Sequence, residues 1–259
     1  MKVDHNIGLV LSGGGARGIA HIGVLKALSE LNIHPTVISG TSAGSIIGVL
    51  YAMGLSSQEM IDFVGHSSLW KFFRFEWSAG GLSNLNYLKE RLIQIGIPPN
   101  FEDLQKKLFV TATNLTKGKT EIFHEGPLLD TILASCSIPL VFKPVIINGD
   151  RYADGGILNN LPASVITSQA HRIIGVNVIP LSADEDKDYQ SSIQVAQRCF
   201  ELFMNANTQP ELIACDIVIE PKVQDFYLFS LPKFNLIHDI GYETTMAQAD
   251  LIQKVLKSS

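Results

Sequence analysis

The chain has 259 residues, of which 46% are hydrophobic and 17% charged, a composition that is ordinary for a globular protein with a buried core. Because no Pro-, Ser- or Gly-rich linker divides the sequence, we expect residues 1–259 to form a single domain. The formal net charge of −5, without clusters of Lys and Arg that alternate with aromatic residues, argues against nucleic acid as a partner.

The cysteines and the apolar runs bear on metal binding, secretion and membrane insertion. Cys136, Cys199 and Cys215 are odd in number and lack the spacing of metal ligands, so the sequence predicts no metal site. The N-terminal residues lack the apolar segment of a signal peptide, and no apolar run reaches the roughly 18 residues of a membrane-spanning helix. We therefore expect a cytoplasmic protein whose contact with a membrane, if it occurs, is peripheral.

Short apolar runs alternate with helical patterns in the first part of the chain. Residues 7–12 form an apolar run that meets glycines, which is typical of a buried strand entering a tight turn. Ser56 and Glu59 form the capping box of a helix that ends near His66. The other elements predicted here are helices over residues 19–31, 43–53 and 84–95 and a strand over residues 36–39.

Residues 70–77 combine large aromatic side chains with charged ones, without clear helical spacing. Packing into the core is the usual role of large aromatic side chains. The alternative is a mobile lid that meets a lipid surface, as the alternation of aromatic and charged residues allows. Both interpretations stay open for this segment, which runs from Trp70 to Trp77 and includes Phe72, Phe73 and Phe75.

The rest of the chain again alternates strands with helices. Lys117 and Gly118 join two strands, and a turn at Asn148 and Gly149 joins two more in a hairpin. The strands are predicted over residues 108–115, 120–124, 145–147, 151–152, 172–179 and 215–220, and the helices over residues 128–135, 191–207 and 242–256. This order predicts an α/β fold with a mainly parallel sheet, helices on both faces and some antiparallel hairpins.

A glycine-rich segment, GGGARG from Gly13 to Gly18, follows the first strand and opens the first helix. Glycines let the backbone turn sharply and bring unhindered N–H groups toward an anion. A dinucleotide site would need an acidic residue about 20 positions further on, where the sequence has Ser39 to Ser42 instead. A P-loop would need a Lys-Ser or Lys-Thr pair, which is missing. A turn without a ligand is the remaining alternative.

A second motif, GTSAG, follows the second predicted strand and places Ser42 between Gly40 and Gly44. The order strand, tight turn, helix is the context of a nucleophile elbow, where small neighbours let a strained serine project its Oγ from the bend. Ser42 also suits the simpler role of a helix N-cap.

A third motif is Asp154 followed by Gly155 and Gly156, directly after the hairpin strand. An aspartate before two glycines is often only a turn. Residues 159–162 are predicted to start another helix after it.

The ordered set of GGGARG, GTSAG and DGG resembles the patatin-like phospholipases, in particular the small bacterial members of that family. Residues 134–139, with Phe142 and Pro144, are similar to the family segment that precedes the aspartate. The resemblance covers approximately residues 7–162. It implies a patatin-like three-layer architecture and a carboxylic ester hydrolase acting on lipids, without a metal or cofactor.

The resemblance also implies a role for each motif residue. Ser42 would attack the ester carbonyl, and Asp154 would accept its proton in a Ser-Asp dyad without histidine. The N–H groups of Gly13, Gly14 and Gly15 would hold the oxyanion. Arg17 and Gly18 would support that loop.

Two alternatives stand beside this interpretation. An α/β-hydrolase triad would add a histidine after the acid, for which His171 and His238 are available, His238 being the better placed. The position of Ser42 after only the second predicted strand argues against that fold. The other alternative is a regulatory or adaptor protein that keeps the fold and has little turnover.

Overall fold

An eight-stranded sheet organises the protein, whose computed structural model describes residues 6–65, 85–180, 190–226 and 234–257. The strands are β1 Ile7–Leu11, β2 Val37–Thr41, β3 Lys107–Asn114, β4 Lys119–Phe123, β5 Val145–Ile147, β6 Asp150–Asp154, β7 Arg172–Val176 and β8 Ile217–Ile219. The helices are α1 Ala20–Glu30, α2 Ala43–Ala52, α3 Ser57–Gly65, α4 Asn86–Gln94, α5 Leu128–Ser135, α6 Ser192–Leu212, α7 Phe234–Met246 and α8 Ala249–Lys257.

The strand order in the sheet is β5-β6-β3-β2-β1-β7-β8, with β4 pairing with β3. Strands β3, β2, β1, β7 and β8 are mutually parallel, whereas β4 and β6 pair with β3 antiparallel and β5 pairs with β6 antiparallel. The predicted mainly parallel sheet with added hairpins is therefore confirmed.

Both faces of the sheet are covered, because side chains that alternate along β1 enter different cores. Leu9 and Leu11 belong to the large cluster that also contains buried residues of α1 and α2. Val10 belongs to a smaller cluster on the other face, with Leu161 and Ile166. All three β1 residues are fully buried, as expected of a central parallel strand in a three-layer α/β fold.

Local capping signals mark helix starts as predicted. At the start of α3, the Ser56 N–H donates to Glu59 Oε2 over 2.8 Å and the Glu59 N–H donates to Ser56 Oγ over 3.3 Å. The predicted helix over residues 191–207 is longer in the structure, since α6 continues to Leu212 with Pro210 inside it.

The helix predicted to start at residues 159–162 is wrong. Only a three-residue 3-10 turn, Ser164–Ile166, forms here. The backbone carbonyls that a helix would use internally accept hydrogen bonds from other segments instead. Asn159 O accepts from Thr41 Oγ1, Asn160 O from the Gly13 N–H, and Pro162 O from Ser39 Oγ.

The single closing helix predicted over residues 242–256 is wrong, since the chain forms α7 and α8 with a turn between them. The Gln248 N–H donates to Thr245 O, a contact one residue tighter than in an α-helix. Before the turn, α7 buries Ile237 and Gly241 along α1, and after it α8 turns Ile252 into the core.

None of the helices that the structure describes is long and apolar enough to cross a membrane. The aromatic segment, residues 70–77, lies outside the described residues.

Candidate active site

Strand β3 brings the ends of two other strands side by side. Thr41, the last residue of β2, pairs with Thr111, and Asp154, the last residue of β6, pairs with the next β3 residue, Ala112. Strand β4 pairs with both of these β3 residues, so it occupies the opposite edge of β3. Strands β2 and β6 therefore meet end to end along one edge, and Ser42, which follows Thr41, lies beside Asp154.

Ser42 has the strained backbone of an elbow between β2 and α2. Its φ of 52° and ψ of −122° lie in a region of backbone conformation that residues other than glycine rarely adopt. A Cβ on Gly44 would lie 2.1 Å from the carbonyl oxygen of Leu11, and a Cβ on Gly40 would lie 2.6 Å from that of Gly44. Both positions flanking the serine therefore accept only glycine.

Ser42 and Asp154 are joined by a short hydrogen bond. Ser42 Oγ donates to Asp154 Oδ2 over 2.6 Å, and the Gly156 N–H donates to Asp154 Oδ1 over 2.8 Å. Burial raises the pKa of Asp154 to about 7, although the hydrogen bonds from Ser42 and Gly156 act in the opposite direction. The carboxyl group can therefore gain or lose a proton near neutral pH.

The end of α5 fixes both members of this pair. Ser135 Oγ accepts the Ser42 N–H over 2.8 Å and donates to the carbonyl of Thr111 over 2.7 Å. The Asp154 N–H donates to the carbonyl of Ser137 over 2.9 Å. The sequence alone predicts no individual role for residues 134–139. The signal that the sequence offers is that two small polar residues, Ser135 and Ser137, stand at the otherwise apolar end of helix α5.

The three glycines of the predicted oxyanion loop differ in their hydrogen bonds. The Gly13 N–H donates to the carbonyl of Asn160 over 3.1 Å, so it is already engaged. In the described part of the chain, the N–H groups of Gly14 and Gly15 have no protein acceptor. Gly15 has a φ of 52°, where glycine avoids strain. Two of the three expected donors are thus available to a ligand.

Arg17 connects the glycine loop to the rest of the protein from a buried position. Its Nε donates to the carbonyl of Phe226 over 2.7 Å, and a terminal nitrogen donates to the carbonyl of Gln224 over 2.9 Å. The same terminal nitrogen lies 3.3 Å from a carboxylate oxygen of Glu201 on α6. Gly18 permits close packing, since a Cβ there would lie 2.6 Å from Ala43 Cβ.

A small cavity connects the loop, the serine and the aspartate. Helix α6 covers it with Phe200 and Met204, and α6 also binds the aspartate turn, because Asn207 Nδ2 donates to the carbonyl of Gly156 over 2.9 Å. The lining residues are Gly14, Gly15, Ser42, Ile138, Asp154, Phe200 and Met204.

The two histidines considered for a triad lie elsewhere. His171 directly precedes β7, at the amino end of a strand parallel to β2, whereas Ser42 follows the carboxyl end of β2. His238 is on α7, and its Nδ1 lies 2.9 Å from Asp239 Oδ1. Among the described residues, no histidine is hydrogen-bonded to Ser42 or Asp154.

Within residues 6–65, 85–180, 190–226 and 234–257, no three His, Cys, Asp or Glu side chains are grouped so that they could hold a metal ion.

Comparison with known proteins identifies the family. Residues 9–166 match the family model described as patatin-like phospholipase, which covers all three sequence motifs. The chain belongs to this family. The resemblance inferred from the motifs is therefore confirmed.

Two relatives of this chain are much longer than the chain itself. The lysophospholipase NTE1 of Kluyveromyces lactis is 27% identical over 267 residues, which cover 91% of this chain and 18% of the relative. The lysophospholipase NTE1 of Yarrowia lipolytica is 32% identical over 200 residues, covering 73% of this chain and 14% of the relative. This chain thus spans less than a fifth of the length of either relative.

A solved structure supports the fold assignment. The crystal structure of VipD from Legionella pneumophila superposes with a TM-score of 0.66 and 17% sequence identity, covering 96% of this chain and 67% of that chain. The likeness confirms the predicted patatin-like α/β architecture.

Proposed function

We propose that this protein is a serine acyl hydrolase that cleaves carboxylic ester bonds of lipids, of the phospholipase A or lysophospholipase type. Ser42 is the nucleophile and Asp154 its base in a dyad. The observation that carries the proposal is the 2.6 Å hydrogen bond from Ser42 Oγ to Asp154 Oδ2 at a strained elbow. Family membership supports a lipid substrate. We further propose that residues 1–259 act as one catalytic domain.

The first half of the reaction acylates the serine. Ser42 Oγ attacks the ester carbonyl carbon while its proton passes to Asp154 Oδ2. The carbonyl π electrons move to oxygen, and the N–H groups of Gly14 and Gly15 stabilise this oxyanion. When the tetrahedral intermediate collapses, the bond to the alcohol oxygen breaks and the proton on Asp154 passes to that oxygen. The alcohol leaves, and the acyl group remains on Ser42.

The second half releases the fatty acid. A water molecule attacks the acyl carbonyl and gives its proton to Asp154, and the same glycine loop stabilises the second oxyanion. Collapse breaks the bond to Ser42 Oγ, which takes the proton back from Asp154. Free carboxylic acid leaves, and the hydrogen bond between Ser42 and Asp154 is restored.

The environment of Asp154 suits this role. An aspartate in water has a pKa near 3.9, too low for a general base that must accept a proton from an alcohol. Burial raises the pKa of Asp154 to about 7, close to the working range of a general base. Each oxyanion donor typically contributes about 10²–10³ in rate, so the glycine loop supplies an effect comparable to that of the base.

Labelling with a fluorophosphonate probe, followed by peptide mapping, tests the proposal directly. We expect covalent modification of Ser42 in the folded protein, together with hydrolysis of p-nitrophenyl esters. Ser42→Ala should lose both, whereas Ser168→Ala, which changes an exposed serine, should keep both. Folded protein that neither reacts with the probe nor hydrolyses esters would support the adaptor alternative instead.

A further inference from the structure

One peptide group anchors the glycine loop where it leaves β1. The carbonyl of Ser12 accepts a hydrogen bond from His21 Nε2 over 2.9 Å. The N–H of the same peptide group, on Gly13, donates to the carbonyl of Asn160 over 3.1 Å. Both polar atoms of the Ser12–Gly13 peptide are therefore hydrogen-bonded, in opposite directions across the chain, immediately before the amide of Gly14.

The residue before this peptide is held as well. The Ser12 N–H donates to the carbonyl of Val176 over 3.1 Å, and Ser12 Oγ accepts the Val178 N–H over 3.0 Å. These contacts fix Ser12 to β7 and to the segment that follows it. His21 supplies the remaining constraint, because its donor lies on α1, the helix that starts just after the loop.

His21 has the protonation state that this contact requires. A carbonyl oxygen only accepts, so Nε2 must carry the hydrogen and the ring is the neutral Nε2–H tautomer. The side chain is fully buried, and burial lowers the pKa of His21 to about 4. Within the described residues its Nδ1 has no hydrogen-bond partner. Leaving this nitrogen unpaired costs stability, which an apolar residue at this position would avoid.

We propose that His21 is a positioning residue for the oxyanion loop. Through the Ser12 carbonyl, His21 sets the plane of the Ser12–Gly13 peptide, so that the N–H groups of Gly14 and Gly15 meet the oxyanion formed at Ser42. Glycines have no side chains that restrict backbone rotation, so hydrogen bonds at the start of the loop must hold its orientation. The inference rests on the proposed hydrolase function, and His21 itself contacts no substrate.

Two substitutions at His21 separate its hydrogen bond from its packing. His21→Leu fills similar space without a donor, and His21→Gln places an amide N–H near the former Nε2. His238→Leu is the matched control, because His238 is also buried and also has an unpaired ring nitrogen, but among the described residues its ring is hydrogen-bonded only to Asp239. Thermal unfolding of all three variants establishes that they are folded.

The readouts are kcat and KM for a soluble ester and the inhibition constant of a lipid trifluoromethyl ketone, which forms a tetrahedral oxyanion adduct with a serine. We expect His21→Leu to lower kcat by about 10- to 100-fold with KM changed less than about threefold, as for a misplaced oxyanion donor. The inhibition constant should rise in parallel with the fall in kcat/KM. His21→Gln should recover about tenfold, and His238→Leu should match the wild type.

Several results would overturn the inference. Folded His21→Leu with kcat within about threefold of the wild type would do so, and so would a loss confined to KM or a His21→Gln variant as slow as His21→Leu. If the His21 variants do not fold, ¹⁵N spectra of the wild-type imidazole decide, since a ring protonated on Nδ1 at pH 6–8 cannot donate to Ser12. A wild type that neither hydrolyses esters nor labels at Ser42 would instead contradict the proposed function itself.

Discussion

Replacing Asp154 by Asn removes a buried ionisable group while keeping its shape. Burial raises the pKa of Asp154 from 3.8 to about 7, so the folded chain holds this proton more tightly than the unfolded chain does. For an acid with a raised pKa, the contribution to the free energy of unfolding is largest below pH 3.8 and falls as the pH rises toward 7. The wild type therefore loses stability over this range through Asp154.

The expected size of the effect follows from the pKa difference. A difference of about three pKa units corresponds to about 4 kcal/mol at pH 8, where the folded wild type carries the buried charge. The amide still fits, because its oxygen can accept the Gly156 N–H while its NH₂ group donates to Ser42 Oγ. We expect Asp154→Asn to unfold about 10 °C above the wild type at pH 8. At pH 4 the gain should be less than about 1 kcal/mol.

Thermal unfolding at pH 4, 6 and 8 measures this difference directly, because the titration of all other groups is common to both proteins. Ser42→Ala is the control, since it keeps the buried carboxyl group and should show no stabilisation that grows with pH. Asp154→Asn should also lose nearly all ester hydrolysis. An Asn variant that unfolds at the wild-type temperature at pH 8, or is stabilised equally at every pH, would refute the reasoning.

Two further predictions concern catalysis. In the pH profile of kcat/KM, the acidic limb should have an apparent pKa near 7, set by Asp154. This limb should persist in His171→Ala and His238→Ala. Loss of the limb or of activity in folded His238→Ala would instead favour a triad. Gly14→Ala should lower kcat about a hundredfold with little change in KM, because its Cβ would lie 2.4 Å from Val178 Cγ2 and displace the loop. Unchanged kcat, or tight NAD or ATP binding by calorimetry, would contradict this.

The parts of the fold that could be predicted from sequence are those controlled by neighbouring residues. The Ser56–Glu59 capping box and the turn at Asn148 and Gly149 depend on contacts a few residues apart, and both form as predicted. The strand–turn–helix order that marks the elbow at Ser42 is also local, although the clash that excludes a side chain at Gly44 is with Leu11 on β1. These features are readable without any knowledge of tertiary structure.

The misassigned parts depend on residues that are distant in sequence. Nothing near Gly13 indicates that its N–H is taken by Asn160, and the same contact helps to prevent a helix at residues 159–162. The hydrogen bond from the Ser42 N–H to Ser135 Oγ requires α5 to end beside β2. That placement is determined only when the whole sheet has assembled.

The meeting of β2 and β6 along β3 makes the protein suitable for division into two fragments. Cleavage between Asn148 and Gly149, an exposed turn at the far end of β6, puts Ser42 and β3 in one fragment and Asp154 in the other. Neither fragment alone holds a dyad, and pairing of β6 with β3 would restore it. We expect fragments 1–148 and 149–259, fused to interacting partners, to hydrolyse esters only when mixed. Ester hydrolysis by the mixed fragments would then report that the two fused partners have associated, because activity requires β6 to pair with β3.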